Sequence, residues 1–414
     1  EIKFLFLNSQ DPKAREIKNK YLDNLLRYAT KTTPFYFNYK DYLTLNDFPV
    51  INKNIIRSDY SSFRPKVIPT GKKMYSVTTS GSTGTPFTVF HDKKKRLRHI
   101  ADNIFFNELA NSKLGSRLYY FRVWHKMVKK TKVLSLLQNL VTLDSGKLDT
   151  ESIENNYLNK IKSDKSTKSV LAYASTLEAF ARHLRKNYKF PIETKIKSII
   201  SQSETLSNEA KVDLEYYLSS KVVSRYSNME NGFIGQQCSS GNGEYHLNEA
   251  SYFIEILDMN LDVPVESGEM GRIVVTDLFN YGMPLIRYDT GDIGTVKEIA
   301  SCEIKNRVLA KIEGRRTDFI FDTKGNLLSP HVITNTMWKY VEILQFQFIQ
   351  EAKKKYIMIL NKGNVPFHEE ADLIKDIKSF LGDDAEITIR YVEEIPLLQS
   401  GKRKKIINLL SINN

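Results

Sequence analysis

The sequence predicts an α/β protein with a large N-terminal domain and a small α+β C-terminal domain. Between residues 75 and 225, short apolar runs alternate with helix-like segments, which is typical of mostly parallel sheets. Between residues 244 and 300, strand-like runs are joined by Gly- and Pro-rich turns, which predicts a β-rich subdomain. The pattern changes again after Gly314, so we expect the domains to cover residues 1–315 and 316–414.

Each element is predicted from its own pattern. Apolar residues at helical spacing predict a helix over residues 13–30, which ends before a Thr-Thr-Pro-Phe stop signal. The alternating region is predicted to hold strand 117–123, strand 169–173, helix 177–187, strand 195–200, helix 207–218 and strand 222–226. The later strands and helix are predicted at 251–257, 271–276, 345–349, 356–360, 369–381 (the helix) and 386–392.

Composition excludes several classes of protein. The 414 residues are 41% hydrophobic and 26% charged, which excludes a disordered chain and is ample for a core. The two cysteines exclude a disulfide scaffold and predict a cytoplasmic protein. No apolar run reaches the ~18 residues of an integral membrane segment, and the run at 4–7 is too short for a secretory signal.

The net charge is basic, because 61 Lys and Arg residues face 48 Asp and Glu residues and leave +13. Such a balance attracts anions, including nucleotides, CoA, nucleic acid and acidic membranes, and it also describes an ordinary solvated surface. The lysines are spread along the chain and no known nucleic-acid-binding module is present. We therefore expect no nucleic-acid partner.

The strongest local motif is a run of small hydroxyl and glycine residues, Thr78-Thr-Ser-Gly-Ser-Thr-Gly-Thr-Pro86, between two predicted strands. Glycines let backbone N–H groups approach an anion and hydroxyls add donors, so the run is suited to cradle phosphate groups. No Gly-Lys-Ser/Thr follows, so it is not a Walker A loop. Taken alone, the run is equally well explained as a polar turn.

Five further motifs follow in order along the chain. They are Ser203-Glu-Thr205, Arg225-Tyr-Ser-Asn-Met-Glu230, Arg287-Tyr-Asp-Thr-Gly-Asp292, Glu313-Gly-Arg-Arg-Thr-Asp318 and Pro396-Leu-Leu-Gln-Ser-Gly-Lys402. With the phosphate-type run, this ordered set resembles the adenylate-forming superfamily of acyl-CoA synthetases, adenylation domains and luciferases. Within it, the chain is most similar to the phenylacetate–CoA ligase-like branch, which includes capsular polysaccharide biosynthesis proteins.

The resemblance implies an enzyme that activates a carboxylic acid with ATP and releases pyrophosphate. The acyl group would then pass to CoA or to an amine on a sugar or amino acid, in a role such as surface polysaccharide biosynthesis. It also implies that the small C-terminal domain moves and carries the catalytic lysine. The alternative is a nucleotide-binding protein of the same fold without catalysis.

The resemblance assigns roles residue by residue. ATP is expected to contact Thr79, Ser80, Gly81, Ser82, Thr83, Gly84, Ser203, Glu204, Thr205, Tyr226, Asp292 and Arg315. Asp292 would accept hydrogen bonds from both ribose hydroxyls, and Tyr226 would pack against adenine. Glu230 would act in catalysis as an oxygen ligand of Mg²⁺, and Lys402 would bring its charge to the reacting groups. Each residue taken singly is also explained as a turn, core or surface residue.

Four further residues are expected to line the acyl pocket: Tyr173, Ala174, Asn231 and Gly232. Ordinary core packing is the alternative explanation for them. Three positions depart from the superfamily pattern. Phe87 follows Pro86 where a Lys is common, Met229 replaces a hydroxyl residue, and Thr317 replaces a hinge Asp. These departures motivate the non-catalytic alternative.

A second constellation consists of Cys238, His246 and Cys302. Relatives in the phenylacetate–CoA ligase-like branch often carry zinc on Cys and His residues of this region, so the resemblance implies a zinc site. A structural site takes four ligands, and the fourth would be Glu, Asp or water. Two reduced thiols beside a hydrogen-bonded histidine are the other explanation.

Overall fold

The structure is a computed structural model that describes residues 1–68, 73–79, 87–122, 131–145, 148, 151–240, 242–398 and 403–410. The chain divides into two compact units, each built from two separate stretches. The first unit holds Glu1–Leu114 and Val223–Ile312, and the second holds Gly115–Val222 and Glu313–Asn414. The predicted α/β class is confirmed, while the domain boundary after residue 315 stays a prediction.

The described part of the chain forms helices α1 (Ile2–Leu7), α2 (Pro12–Thr32), α3 (Lys53–Ser58), α4 (Lys93–Leu109), α5 (Lys132–Leu137), α6 (Asn159–Ser163), α7 (Ala174–Asn187), α8 (Asn208–Leu218), α9 (His331–Thr336) and α10 (Glu370–Leu381). Helix α2 confirms the helix predicted from residue 13. It begins after Asp11, whose side chain accepts a hydrogen bond from the Lys13 backbone, and Pro12 occupies its first position. Among the described residues, no helix combines the length and apolar character that crossing a bilayer requires.

The strands of the described residues are β1 (Tyr75–Thr79), β2 (Phe87–His91), β3 (Arg117–Arg122), β4 (Leu140–Asp144), β5 (Lys168–Tyr173), β6 (Ile196–Gln202), β7 (Val222–Asn228), β8 (Gly232–Gln237), β9 (Tyr245–Leu247), β10 (Tyr252–Leu257), β11 (Met270–Asp277), β12 (Tyr288–Lys297), β13 (Val308–Arg315), β14 (Ile320–Phe321), β15 (Leu327–Leu328), β16 (Gln345–Ala352), β17 (Lys355–Asn361), β18 (Glu386–Tyr391) and β19 (Ile406–Asn408).

The first unit contains the β-rich part. Its strands are hydrogen-bonded in the order β10-β11-β12-β13-β9-β8-β7. The pairs β10–β11, β11–β12, β13–β9, β9–β8 and β8–β7 are antiparallel, which confirms the prediction for residues 244–300. A separate hairpin joins β1 to β2 and sets Thr79 opposite Phe87. The apolar face of α2 buries Leu25 and Ala29 in one cluster with Phe87 and Tyr288.

The second unit contains the parallel strands, in the order β6-β5-β3-β4. Helices α7 and α8 follow β5 and β6 along the chain, as the alternating pattern predicts. Their apolar faces bury Leu177, Phe180 and Leu214 against Val170 of the sheet. Trp338, from the C-terminal stretch, belongs to the same buried cluster.

The C-terminal stretch of the second unit forms a four-stranded sheet in the order β18-β17-β16-β19. Strands β16 and β17 are antiparallel, and the outer strands pair in parallel. Helices α9 and α10 bury Ile333, Leu373 and Ile377 in one cluster with Phe348 and Met358 of the sheet. The predicted α+β tail is confirmed.

Glu154 carries a strongly shifted pKa in the second unit. Its carboxylate lies 2.9 Å from His183 Nε2, 3.0 Å from Lys162 Nζ and 2.7 Å from the Tyr188 hydroxyl. Burial alone would raise the pKa of Glu154, but these hydrogen bonds outweigh it and lower the pKa to about 2. Since the folded-state pKa lies below its ordinary value of 4.5, the stability it contributes is present above pH 4.5 and is lost as the pH falls toward 2.

Glu154→Gln is expected to lower the free energy of unfolding by about 1 kcal/mol at pH 7, a modest value because solvent screens a partly exposed carboxylate. The difference from the wild type should shrink between pH 4.5 and pH 3. Urea unfolding at pH 7, 4.5 and 3 measures both effects, with the exposed Glu151→Gln as the control. A difference that does not change with pH would contradict this account.

Candidate functional site

The predicted phosphate loop lies between β1 and β2. Residues Ser80, Gly81, Ser82, Thr83 and Gly84 lie outside the described residues. Thr79 ends β1, is 8% exposed, and its hydroxyl has no hydrogen-bond partner within the described part of the chain. Because Thr79 pairs with Phe87 across the hairpin, the two ends of the loop are held side by side.

Tyr226 and Asp292, from two different motifs, meet in the first unit. The Tyr226 hydroxyl donates a hydrogen bond to Asp292 Oδ2 at 2.8 Å and lies 3.3 Å from Thr290 Oγ1. Burial, and then the neighbouring Asp292 carboxylate, raise the pKa of Tyr226 well above its usual value. The phenol therefore stays protonated and donates. Asp292 itself is half-buried, which leaves a carboxylate of this kind able to accept further donors.

A tight backbone turn in β12 presents Asp292. Asp289 Oδ1 accepts from the Gly291 backbone at 2.8 Å, and Gly291 has φ +79°, which glycine adopts without steric cost. Thr290 donates its hydroxyl to the Ile273 carbonyl at 2.9 Å and accepts from the Asp292 backbone at 3.2 Å. The Thr-Gly-Asp part of the motif thus folds into a turn anchored on β11.

Glu230 is buried at 2% exposure and has two side-chain partners. Lys53 Nζ lies 2.6 Å from Glu230 Oε1, and the Tyr288 hydroxyl lies 3.2 Å from the same oxygen. Burial raises the pKa of Tyr288 well above its usual value, and the Glu230 and Asp292 carboxylates add to that effect. His91 Nε2 donates to the Glu230 carbonyl at 2.8 Å. Two acidic residues of different motifs thus act electrostatically on one tyrosine.

The turn around Glu230 also contains two predicted acyl-pocket residues. Asn228 Oδ1 accepts from the Asn231 backbone at 2.7 Å, and Asn231 Nδ2 is buried without a partner among the described residues. Gly232 has φ +103°, and a Cβ there would lie 2.6 Å from His99 Nδ1. Met229 is 54% exposed at the tip of the turn, so it contributes no buried contact.

The other acyl-pocket and adenine-loop residues lie in the second unit. Tyr173 precedes α7 and Ala174 begins it, both buried. Glu204 Oε2 accepts from the Ser175 backbone at 3.2 Å, so this loop carboxylate caps the N-terminus of α7. Ser203 has φ +73° and is exposed, as is Thr205. The structure therefore brings Tyr173, Ala174 and Glu204 together.

The hinge motif also lies in the second unit, at the end of β13. Arg315 is exposed. Asp318 Oδ1 lies 3.4 Å from Lys404 Nζ and accepts from the Thr317 hydroxyl at 3.4 Å, so Thr317 supports Asp318. Lys402 lies outside the described residues.

Cys238, His246 and Cys302 form a buried triangle in the first unit. The two sulfurs are 3.5 Å apart, and His246 Nε2 lies 3.3 Å from Cys238 Sγ and 3.2 Å from Cys302 Sγ. His246 Nδ1 lies 2.5 Å from Asn306 Oδ1, which directs the other ring nitrogen at the sulfurs. Burial opposes ionisation, but hydrogen bonds led by that of His246 lower the pKa of Cys238 to about 6.

Lys53 and Tyr288 were missed by sequence reasoning. For Tyr288 the sequence did contain a signal. It lies two residues before Thr290 and four residues before Asp292, and alternate residues of a strand share a face. For Lys53 the sequence contained no such signal, because its six-residue helix is too short to show a pattern and lies far from Glu230 in the chain.

A family model described as CapK C-terminal domain matches residues 320–409. A phenylacetate–coenzyme A ligase of Aromatoleum evansii is 26% identical over 173 residues, so the match spans 39% of this chain and 39% of that relative's length. A phenylacetate–coenzyme A ligase of Thermus thermophilus is 22% identical over an alignment of 439 residues that covers 96% of this chain and 97% of the relative.

A solved structure, 2-hydroxyisobutyryl-CoA ligase in the postadenylation state in complex with R3-HIB-AMP, has the same fold. Its TM-score is 0.73 at 15% identity, and the match covers 98% of this chain and 91% of that chain. The chain therefore has the fold of the adenylate-forming ligases, and its resemblance to the phenylacetate–CoA ligase-like branch of that superfamily is confirmed.

Proposed function

We propose that this protein is an ATP-dependent carboxylate–CoA ligase. The carboxylate oxygen attacks the α-phosphorus of ATP, the bond to pyrophosphate breaks, and an acyl-adenylate results. The CoA thiol then attacks the acyl carbon, AMP leaves, and the thiol proton is released. The observation that carries the proposal is the 2.8 Å contact of Tyr226 with Asp292, because it brings together two residues from separate motifs to which the resemblance assigns contacts with ATP.

The residues divide this work among them. In the first unit, Asp292 accepts the ribose hydroxyls and Tyr226 packs against adenine. For the second unit, the resemblance implies that the Ser203–Thr205 loop borders adenine and that Arg315 reaches ribose or phosphate oxygens. Thr79 and Ser80–Gly84 bind the β- and γ-phosphates, and the Thr79 hydroxyl, which has no partner among the described residues, supports this role. Glu230 holds Mg²⁺, which offsets the charge of the phosphates when bound. Lys402 stabilises the charge that develops on the reacting oxygens.

The acyl group is expected to contact the four residues that the resemblance assigns to the acyl pocket. In the second unit, Tyr173 and Ala174 offer an aromatic ring beside a small residue. In the first unit, Gly232 is a small residue in the turn after Glu230. Asn231 supports the assignment because its buried Nδ2 lacks a partner in the described part of the chain and is suited to donate to a polar group of the acid.

An amine on a sugar or amino acid is the second acceptor we consider. The resemblance to a branch that includes capsular polysaccharide biosynthesis proteins motivates it. A non-catalytic nucleotide-binding protein is the second function, and the exposed Met229 favours it, since a thioether cannot donate to the α-phosphate. Asn228, beside it in the same turn, offers an amide that replaces the missing hydroxyl.

Carboxylate-dependent ATP–pyrophosphate exchange tests the proposal directly. The purified protein is assayed with a panel of aryl acids, short hydroxy acids and amino acids. Exchange with one acid establishes adenylation, and adding CoA or an amine then identifies the acceptor by the product formed. ATP binding without exchange for any acid would instead support the non-catalytic function. Absence of ATP binding would contradict both.

We also propose that Cys238, His246 and Cys302 bind zinc. Two sulfurs and one imidazole nitrogen converge in a buried space, and these are the atoms that zinc prefers. Protein purified without added metal is expected to hold about one zinc per chain by elemental analysis. Cys302→Ser should lower the zinc content, while the exposed His368→Gln should leave it unchanged. If protein purified from zinc-supplemented cells contains no metal by elemental analysis, the proposed zinc site is wrong.

A further inference from the structure

Lys53 occupies a position that the predicted roles leave unexplained. Its ammonium lies 2.6 Å from Glu230 Oε1, and its side chain is 32% exposed whereas that of Glu230 is 3% exposed. The pair therefore has one buried member and one that solvent and ligands can reach. A buried carboxylate needs such a partner, because burial of an unpaired charge is costly.

The same ammonium lies at the base of the predicted phosphate loop. Lys53 Nζ is 5.9 Å from the centre of the Phe87 ring, and the Arg57 guanidinium, one helical turn later, is 5.8 Å from the same ring. Phe87 is the residue where superfamily loops commonly have a lysine. Two cations from α3 thus lie within 5.9 Å of the centre of the Phe87 ring, at the position where superfamily loops commonly supply a lysine.

The segment that leads into α3 is hydrogen-bonded to the start of β12 through Ile51. The Ile51 backbone donates to the Arg287 carbonyl at 3.0 Å, and the Asp289 backbone donates to the Ile51 carbonyl at 2.7 Å. Asn52 then caps α3 by accepting from the Asn54 and Ile55 backbones at 2.9 and 3.1 Å. Lys53 follows directly, so its direction is set by strand pairing next to Tyr288, the other partner of Glu230.

We infer that Lys53 is a phosphate-binding residue that replaces the lysine missing from the end of the phosphate loop. It pairs with Glu230 when no nucleotide is bound and contacts the triphosphate when ATP is bound. The Glu230 carboxylate is then available to bind Mg²⁺. The inference rests on the proposed function, and it adds a residue from a different part of the chain to the site. Binding of a triphosphate should depend on Lys53, and binding of AMP should not.

The test measures dissociation constants of ATP, inorganic pyrophosphate and AMP by calorimetry, in magnesium buffer. Lys53→Met is expected to weaken binding of ATP and pyrophosphate at least tenfold, which corresponds to about 1.4 kcal/mol, and to leave AMP within twofold. Lys53→Arg should restore most of the ATP affinity, because it keeps the charge. Lys221→Met removes an exposed ion pair with Glu215 in the second unit and should bind all three ligands like the wild type.

Lys53→Met leaves Glu230 buried without its cation and is prone to misfold. The double variant Lys53→Met/Glu230→Gln removes both charges and should still bind ATP at least tenfold more weakly than Glu230→Gln alone. Equal loss of ATP and AMP, or unchanged ATP binding in Lys53→Met, would overturn the role of Lys53 while leaving the proposed function intact. A wild-type protein that binds neither ATP nor AMP would overturn both.

Discussion

Lys402→Ala is expected to lower carboxylate-dependent pyrophosphate release by at least about a hundredfold. A unit charge ~4 Å from the reacting oxygens contributes roughly 4 kcal/mol at an effective dielectric constant of 20, which corresponds to about three powers of ten in rate. Because the proposed role of this charge is to act on the reacting groups, kcat should fall while the KM for ATP changes little. Single-turnover formation of the acyl-adenylate measures the effect on the first step alone.

The residues after Lys402 make the choice of control important. Arg403 pairs with Glu394, Lys404 with Asp318 at 3.4 Å, and Lys405 with Glu178 at 2.6 Å, so residues 403–405 are engaged in ion pairs rather than forming a solvated tail. Lys354→Ala is the matched control, because Lys354 lies in the turn between β16 and β17 and makes an exposed ion pair with Asp384. Full activity of Lys402→Ala would remove this lysine from the mechanism.

Asp292→Ala is expected to lower kcat/KM for ATP by about a hundredfold. If Asp292 has its proposed role, the substitution removes two hydrogen bonds from ribose hydroxyls to a charged acceptor, each contributing about 1.5 kcal/mol. It also leaves the buried Tyr226 hydroxyl without its 2.8 Å acceptor. Steady-state exchange at varied ATP measures the loss. Tyr226→Phe removes only the phenolic hydrogen bond and should have a much smaller effect.

A comparison of ATP with 2′-deoxy-ATP separates a ribose contact from a loss of structure. The wild type should prefer ATP, and Asp292→Ala should lose most of that preference, because the acceptor of the 2′-hydroxyl is gone. Asp23→Ala, which removes an exposed ion pair on α2, should retain the preference. A preference that persists in Asp292→Ala would assign the ribose to another residue.

Local periodicity allowed most elements to be predicted from the sequence. Helices α2, α7 and α10 and strands β3, β5 and β17 lie where apolar spacing places them, because that spacing reflects which face is buried. The pairing of the strands was harder to predict from the sequence. Strand β7 ends the alternating pattern predicted for residues 75–225, but it pairs antiparallel with β8, because the short turn after Asn228 returns the chain beside it. The division into units of two stretches depends on long-range packing, which no local pattern carries.

The candidate site likewise has residues that the sequence predicts and residues that it does not. Tyr226, Glu230 and Asp292 could be singled out as candidates because their motifs are contiguous in sequence and occur in a recognisable order. The capping of α7 by Glu204 and the ion pair of Lys53 with Glu230 were not found, because both join segments that are distant in the chain. A charged residue on a short helix has no sequence signal that distinguishes it from a solvated one.

The backbone bridge between Ile51 and β12 has a consequence for synthesis on the ribosome. At about 5–20 residues per second, the partner strand is made on the order of ten to fifty seconds after residue 51. During that interval the cluster around Leu25 and Ala29 of α2 lacks the side chains that residues 281–288 contribute, so part of its apolar surface stays uncovered and can bind chaperones. The proposed nucleotide site is therefore completed late in translation. Lys53 is synthesised early but reaches its position beside Glu230 only after β12 has been made.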